Sequence, residues 1–307
     1  MKKKIILILI ILILFISFFS YLFWFKKINN QEKIRDNITY QPEIKKSEVL
    51  AVETVELLEI EARGAISVLI RDNQPPQILF EKNIDEKLPI ASLVKLMTAY
   101  VVLEYYDLLY EIEISEQAIL QPETTGNLKK GQKLSIKDLL FPLLIESSND
   151  AAFALAETIG QEKFVYLMNN EANRLGLKNT FFINSSGLDP LNPNKPINYS
   201  TIQDLVKFTK YLLDKDNNNL LWNILSTKEI ELYGQRLVNT NQLLGEIPNI
   251  ISGKTGLTVM AGGSLLLVLE APDNNGYLIN IILGAPTSES RFEEMRKLIS
   301  YTYKLNR

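Results

Sequence analysis

The chain has 307 residues, 46% of them hydrophobic and 22% charged, with a formal net charge of −3, so it lacks the basic footprint of a nucleic-acid partner. It contains no cysteine, which excludes disulfides and thiolate metal sites. It contains no histidine either, which removes Ser-His-Asp triads, Cys-His dyads and histidine-ligated zinc; nucleophilic catalysis must recruit another base, and lysine is the obvious substitute. Residues 1–4 are a short basic head, and residues 5–25 carry no charge. As a helix this stretch spans ~30 Å at ~1.5 Å per residue, with Tyr21 and Trp24 near its end as interfacial aromatics. Bulky residues, Phe18, Phe19, Tyr21, Leu22, Phe23 and Trp24, occupy the place where a cleavable signal peptide carries small ones, which favours an uncleaved anchor. Lys2, Lys3 and Lys4 lie on one side of it and Lys26, Lys27, Lys33 and Arg35 on the other, so charge alone does not set its orientation.

Residues 26–60 begin polar and charged and read as a tether to a domain over 61–307. Residues 65–72 and 77–82 are β-rich runs around Asn73-Gln74-Pro75-Pro76, a hairpin with a longer loop. A helix is predicted from Ser92, followed by a polar loop at 126–133 and helices over 136–145, 151–159 and 162–175. In the last of these Phe164, Leu167, Met168, Ala172 and Leu175 recur at helical spacing and mark a core stripe. Residues 184–198 read as a loop, 201–213 as a helix, 214–219 as a polar break, and Trp222 as a packing residue. Strands are predicted at 250–257, 263–270 and 277–284, the last two around the turn Pro272-Asp273-Asn274-Asn275-Gly276, with a closing helix over 292–303. Strands at both ends and helices between them suggest an antiparallel sheet of N- and C-terminal strands with a helical region inserted.

Three short stretches carry chemistry. In Ala91-Ser92-Leu93-Val94-Lys95, serine and lysine are three apart and share a helix face. The hydroxyl then stands at the positive end of the helix, with Lys95 in reach as its base. Alone, the spacing far more often marks only an N-cap serine with a surface lysine. In Glu146-Ser147-Ser148-Asn149-Asp150, between two helical runs, Ser147 offers a proton-relaying hydroxyl and Asn149 a donor and acceptor suited to a peptide amide; a plain helix-to-helix turn with an Asp or Asn cap would also read this way. In Lys254-Thr255-Gly256-Leu257, on a predicted strand, the lysine brings charge and the threonine hydroxyl can bind a carboxylate. Gly256 would let a ligand lie close against the strand, and the N–H groups of Leu257 and Ser92 could face a developing oxyanion.

Ser-x-x-Lys, Ser-x-Asn and Lys-Thr-Gly in this order are the set found in penicillin-binding proteins and class A β-lactamases. The sequence resembles the D-alanyl-D-alanine carboxypeptidases of the low-molecular-mass penicillin-binding proteins, serine peptidase family S11, over about residues 60–305. The likeness extends to Leu96-Met97-Thr98-Ala99, Asn149-Asp150-Ala151-Ala152, Leu175-Gly176-Leu177 with Thr180, Gly187-Leu188, Ser200-Thr201 with Asp204-Leu205, and Asn239-Thr240-Asn241. Ser148 departs from it, standing where many relatives have glycine. The family often adds a β-rich domain and an amphipathic C-terminal anchor; neither is expected after the last helix here, which leaves the N-terminal helix as the anchor.

The resemblance implies an α+β fold of the serine β-lactamase and penicillin-binding-protein type: a five-stranded antiparallel sheet flanked by helices, a helical subdomain, and an active site between them. It implies that Ser92 attacks the penultimate carbonyl of a peptidoglycan stem peptide ending in D-Ala-D-Ala, forming an acyl-enzyme. Neutral Lys95, its pKa depressed by burial and Lys254, takes the serine proton, and Ser147 relays a proton to the leaving nitrogen. Asn149 holds the substrate amide; Lys254 and Thr255 hold the terminal carboxylate. Arg291 matches by position after the last strand, where a surface ion pair competes with the same carboxylate role. No metal or organic cofactor is implied, and β-lactam antibiotics are implied as covalent inhibitors. Because peptidoglycan is outside the membrane, the domain should be outside the cytoplasm on a single-pass anchor. A D,D-endopeptidase of the same family and a non-enzymatic wall-binding homologue are the alternatives. The loop at 184–194 contains no glutamate, and Asp189 is its only acid, so rapid deacylation of a β-lactam is not expected.

Overall fold

The computed structural model describes residues 58–122, 127–215 and 219–305. The membrane segment expected at 5–25 and nearly all of the tether lie outside the described residues. Along the chain come β1 (Gly64–Ile70), β2 (Gln77–Lys82), β3 (Leu88–Pro89), a 3₁₀ turn at Ala91–Leu93 and α1 (Val94–Tyr105). Then follow β4 (Glu111–Glu113), α2 (Glu116–Ile119), β5 (Lys133–Ser135), α3 (Ile136–Leu144), α4 (Asn149–Glu157), α5 (Gln161–Arg174) and β6 (Tyr199–Ser200). The remainder is α6 (Ile202–Asp214), α7 (Asn219–Ser226), β7 (Glu229–Leu232), β8 (Gln235–Val238), β9 (Ile250–Thr258), β10 (Gly262–Glu270), β11 (Tyr277–Ala285) and α8 (Ser290–Leu305).

The expected sheet is present, five antiparallel strands in the order β2-β1-β11-β10-β9. All seven residues of β1 are buried, because both faces of the sheet are covered. Ile66, Val68 and Ile70 join Ile279 and Ile281 on the face that meets α6 through Ile202, Leu205, Phe208 and Leu212. Ala65 and Leu69 join Leu265, Leu267 and Leu278 on the face covered by Phe292, Met295, Leu298 and Ile299 of α8. The helical region packs around α1, which is buried on every side from Val94 to Val102, as an apolar helix running through a core must be. Ser115, Ser135, Ser148 and Thr201 cap four of these helices, each side chain accepting an N–H three residues on.

Two elements were not anticipated, although Trp222 packs as expected. The stretch after the polar break is a helix, α7, and its Trp222 is buried with Nε1 donating to the Leu212 carbonyl at 3.1 Å. The β7–β8 hairpin was not legible, since its turn is Tyr233-Gly234. Both residues have positive φ, 43° and 74°, as a two-residue hairpin requires, but tyrosine gives no turn signal.

Candidate active site

Ser92 does not open an α-helix; it sits in the 3₁₀ turn ahead of α1. Ala91 has φ 47°, an uncommon conformation for a residue with a Cβ, and the Leu93 N–H closes the turn on the Ile90 carbonyl at 3.1 Å. Gly187 packs against this turn: a Cβ there would stand 2.1 Å from the Ala91 carbonyl oxygen. Gly256 meets the same turn from β9, since its Cβ would lie 3.0 Å from the Ala91 Cβ and 3.1 Å from the Ser92 nitrogen. The space expected for a ligand over Gly256 is therefore taken by the chain itself. A side chain at 256 would push the Ser92 turn away from the strand.

Lys95 lies one turn on from Ser92, with Nζ 2.9 Å from Ser92 Oγ. The side chain is fully buried, and Nζ also contacts Asn149 Oδ1 at 2.8 Å and the Ser186 carbonyl at 2.5 Å. A neutral amine has two hydrogens and one lone pair. Asn149 and Ser186 take the hydrogens, which leaves the lone pair for the Ser92 hydroxyl. Burial, and then the nearby Lys254, hold the Lys95 pKa well below its ordinary value.

Ser147 has φ 63°, a second strained residue among the motifs. Ser148 caps α4, rather than an Asp or Asn, and puts Asn149 in its first turn. Asn149 Nδ2 donates to the Pro122 carbonyl at 2.9 Å, so both ends of this amide have protein partners. Lys254 on β9 is buried, with Nζ 2.8 Å from Ser147 Oγ and 2.9 Å from the Thr255 carbonyl. Burial, and then the charge of Arg291, lower its pKa to about 7. The Thr255 and Thr240 hydroxyls are 2.6 Å apart. Among the described residues Arg291 makes no surface ion pair: it is buried, its Nη1 donates to the Gly256 carbonyl at 2.7 Å, and its guanidinium lies 4.7 Å from the Phe292 ring centroid.

One cleft is lined by Ser92, Ser147, Asn149, Thr255, Gly256, Leu257 and Arg291. Lys95 and Lys254 stand behind it, bonded to Ser92 and Ser147. All nine residues singled out from sequence are thus brought together. β9 is the edge of its sheet, so its outer backbone groups face this cleft.

The profile of the D-alanyl-D-alanine carboxypeptidase family, peptidase S11, matches residues 51–287. The chain belongs to that family. It is 35% identical over 269 residues to the D-alanyl-D-alanine carboxypeptidase DacC of Escherichia coli, covering 83% of this chain and 64% of DacC. It is also 35% identical over 234 residues to a D-alanyl-D-alanine endopeptidase of Haemophilus influenzae, covering 74% of this chain and 78% of that protein. Penicillin-binding protein D2 from Listeria monocytogenes, in its cefotaxime-bound form, matches with a TM-score of 0.70 at 30% identity, over 81% of this chain and 99% of that one. The fold is thus of the penicillin-binding-protein and β-lactamase type. The chain spans slightly less than two thirds of the length of DacC and of the Bacillus subtilis carboxypeptidase DacF, at 64% and 63%.

For this family member the structure adds cleft residues that the sequence reading gave no role. Glu146, Thr240, Leu188 and Thr258 line it, and the Ser186 carbonyl orients Lys95. Glu146 and Thr240 adjoin motif residues in the sequence, but their spacing does not show that they line the cleft. Asp189 ties the loop to the β9–β10 turn, accepting from Thr258 Oγ1 at 2.9 Å and the Met260 N–H at 2.8 Å.

Proposed function

We propose that the protein is a serine D-Ala-D-Ala carboxypeptidase that removes the terminal D-alanine from peptidoglycan stem peptides. The observation that carries this reading is the buried Lys95 amine, aimed at Ser92 and pushed toward its neutral form. Lys95 takes the Ser92 proton as Oγ attacks the penultimate carbonyl. The Ser92 and Leu257 N–H groups receive the oxyanion. The amide C–N bond breaks as Ser147 relays the proton taken up by Lys95 to the leaving nitrogen, so that Ser147 ends as a neutral hydroxyl. Asn149 holds the substrate amide while keeping Lys95 in place. Lys254, Thr255 and Arg291 hold the terminal carboxylate. Water then releases the shortened peptide from Ser92, and β-lactams acylate the same serine. Mass spectrometry of the protein with a penicillin tests the reading: the adduct is expected on Ser92, and a folded protein that takes up none overturns it. Residues 5–25 would anchor a domain at 61–307 outside the cytoplasm, through the tether at 26–60. A periplasm-only reporter at the C-terminus should be active, and activity only when it is fused at residue 4 would reverse the topology.

The similarity to an endopeptidase supports cross-link cleavage as the second reading. Digestion of purified muropeptides, followed by mass spectrometry, separates loss of terminal D-alanine from cleavage of dimers.

Arg291→Ala should lower kcat/KM for free D-Ala-D-Ala peptides by roughly ten- to a hundredfold, since a charge-assisted contact contributes ~1.5–3 kcal/mol. A C-terminally amidated peptide should lose little. Equal losses on both would reduce Arg291 to its bond with the Gly256 carbonyl.

The pH profile follows from the two lysines. Acylation needs neutral Lys95, so kcat/KM rises with pH through its lowered pKa. Holding a carboxylate needs protonated Lys254, so kcat/KM should fall again above about 7. With the amidated peptide the falling limb should vanish. A falling limb of the same size on both substrates would detach Lys254 from carboxylate binding.

A further inference from the structure

Thr98 lies one turn beyond Lys95 on α1 and shares its face. It is fully buried and stands outside the lining of the cleft. Its hydroxyl has one hydrogen to give. A threonine inside a helix can give it back to the carbonyl four residues earlier. Thr209 on α6 does so with Leu205 at 2.7 Å, and Thr158 after α4 does so with Ala154 at 3.1 Å. Thr98 gives it instead to the Ser185 carbonyl at 2.6 Å. The next carbonyl along, that of Ser186, accepts from Lys95 Nζ at 2.5 Å. Two side chains one turn apart on α1 thus hold two successive carbonyls of the same loop. The loop is tied again where Ser185 Oγ donates to the Ala152 carbonyl on α4 at 3.0 Å, and where Asn184 Oδ1 accepts the Gly187 N–H at 2.7 Å.

We infer that Thr98 is a positioning residue for acylation: its bond to Ser185 keeps the Ser186 carbonyl on one hydrogen of Lys95, so that the lone pair of the amine stays on Ser92. The inference rests on the peptidase reading above and adds a residue to its first step. A neutral amine at the end of a lysine turns freely about its last bond unless its hydrogens are held. Asn149 Oδ1 holds one of them at 2.8 Å and leaves the amine able to turn about that bond. The Ser186 carbonyl takes the second hydrogen and fixes the direction of the lone pair, towards Ser92 Oγ at 2.9 Å. Without the Thr98 hydroxyl the buried Ser185 carbonyl loses its donor, and the Ser186 carbonyl beside it is held less firmly. The lone pair then faces Ser92 for a smaller part of the time, and proton transfer slows in proportion. The cleft surface that receives the substrate is unchanged.

Stopped-flow acylation with a chromogenic cephalosporin, carried to saturation, separates the dissociation constant of the first complex from the acylation rate constant. Thr98→Val keeps the shape and removes the hydroxyl. It should lower the rate constant roughly three- to tenfold, the share of one hydrogen bond, and leave the dissociation constant unchanged. Thr98→Ser keeps the hydroxyl and should restore most of the rate. A folded Thr98→Val with a rate constant within about twofold of wild type, a loss confined to the dissociation constant, or a Thr98→Ser as slow as Thr98→Val overturns the assignment. Thr98→Ala takes the place of Thr98→Val if the latter does not fold; if neither folds, Thr98 is part of the fold and not a positioning residue. A wild type that is acylated no faster than Thr98→Val sinks only the role of Thr98. A folded wild type that is never acylated sinks the peptidase reading as well.

Discussion

Lys95→Ala is expected to lower the rate of Ser92 acylation by several orders of magnitude while leaving the fold intact. General-base catalysis contributes ~10²–10⁴-fold, and losing one member of a cooperating set costs more. Here the set is explicit, because Lys95 Nζ binds Ser92, Asn149 and the Ser186 carbonyl at once. The effect on stability is small because two terms oppose. Truncation leaves the Asn149 and Ser186 oxygens without their donor, but it also removes a buried amine that folding deprotonates. The folded pKa is lowered from 10.5, so between the two values the unfolded chain binds the extra proton. Wild-type stability therefore falls as pH drops through that window, and the alanine variant escapes the fall. Stopped-flow acylation with a chromogenic cephalosporin and denaturant melts at pH 7 and 10 measure both effects. A folded variant that acylates at near wild-type rate would remove Lys95 from the role of base.

The second expectation is a penicillin adduct on Ser92 that lasts minutes or longer and is abolished by Ser92→Ala. Class A β-lactamases deacylate with a glutamate and a fixed water. In this chain the corresponding loop offers only Asp189, and both its carboxylate oxygens are committed to Thr258 and Met260. It serves as a clamp between the loop and the β9–β10 turn, beside Gly187, which packs on the nucleophile's own turn. Pulse-chase labelling with a fluorescent penicillin reads the lifetime directly. Turnover of many molecules per second would show that another group activates water in this cleft.

The catalytic set was legible because the chemistry demands particular residue types at particular spacings. With no histidine in the chain, lysine was the base left to find, and it was the resemblance of the three ordered motifs to the penicillin-binding proteins, more than any one spacing, that marked Ser92, Lys95, Ser147, Asn149 and Lys254 as candidates. The sheet was legible because β1, β10 and β11 are apolar runs buried on both faces, bounded by turn residues. The hairpin at 229–238 was not, because its strands are four residues each and its turn begins with Tyr233. Arg291 stayed ambiguous in sequence, since a lone arginine after a strand has no periodic signature. Only packing shows it buried against Phe292 with its guanidinium on the Gly256 carbonyl.

Sequence by itself brought out Ser92, Lys95 and the strand at 250–257 as candidates, because residue chemistry and local spacing narrow such choices together. Tertiary structure alone decided what lies against what. The role of Gly256 passed from ligand clearance to contact with the Ser92 turn, since the nearest atoms to it come from residues 90–92, far away in the chain. Asp189 became a clamp because its partners lie about seventy residues on, and Glu146 became a lining residue because β8 and Thr240 fold back beside it. Contacts between distant segments depend on the packing of the whole core, which no short stretch of sequence encodes.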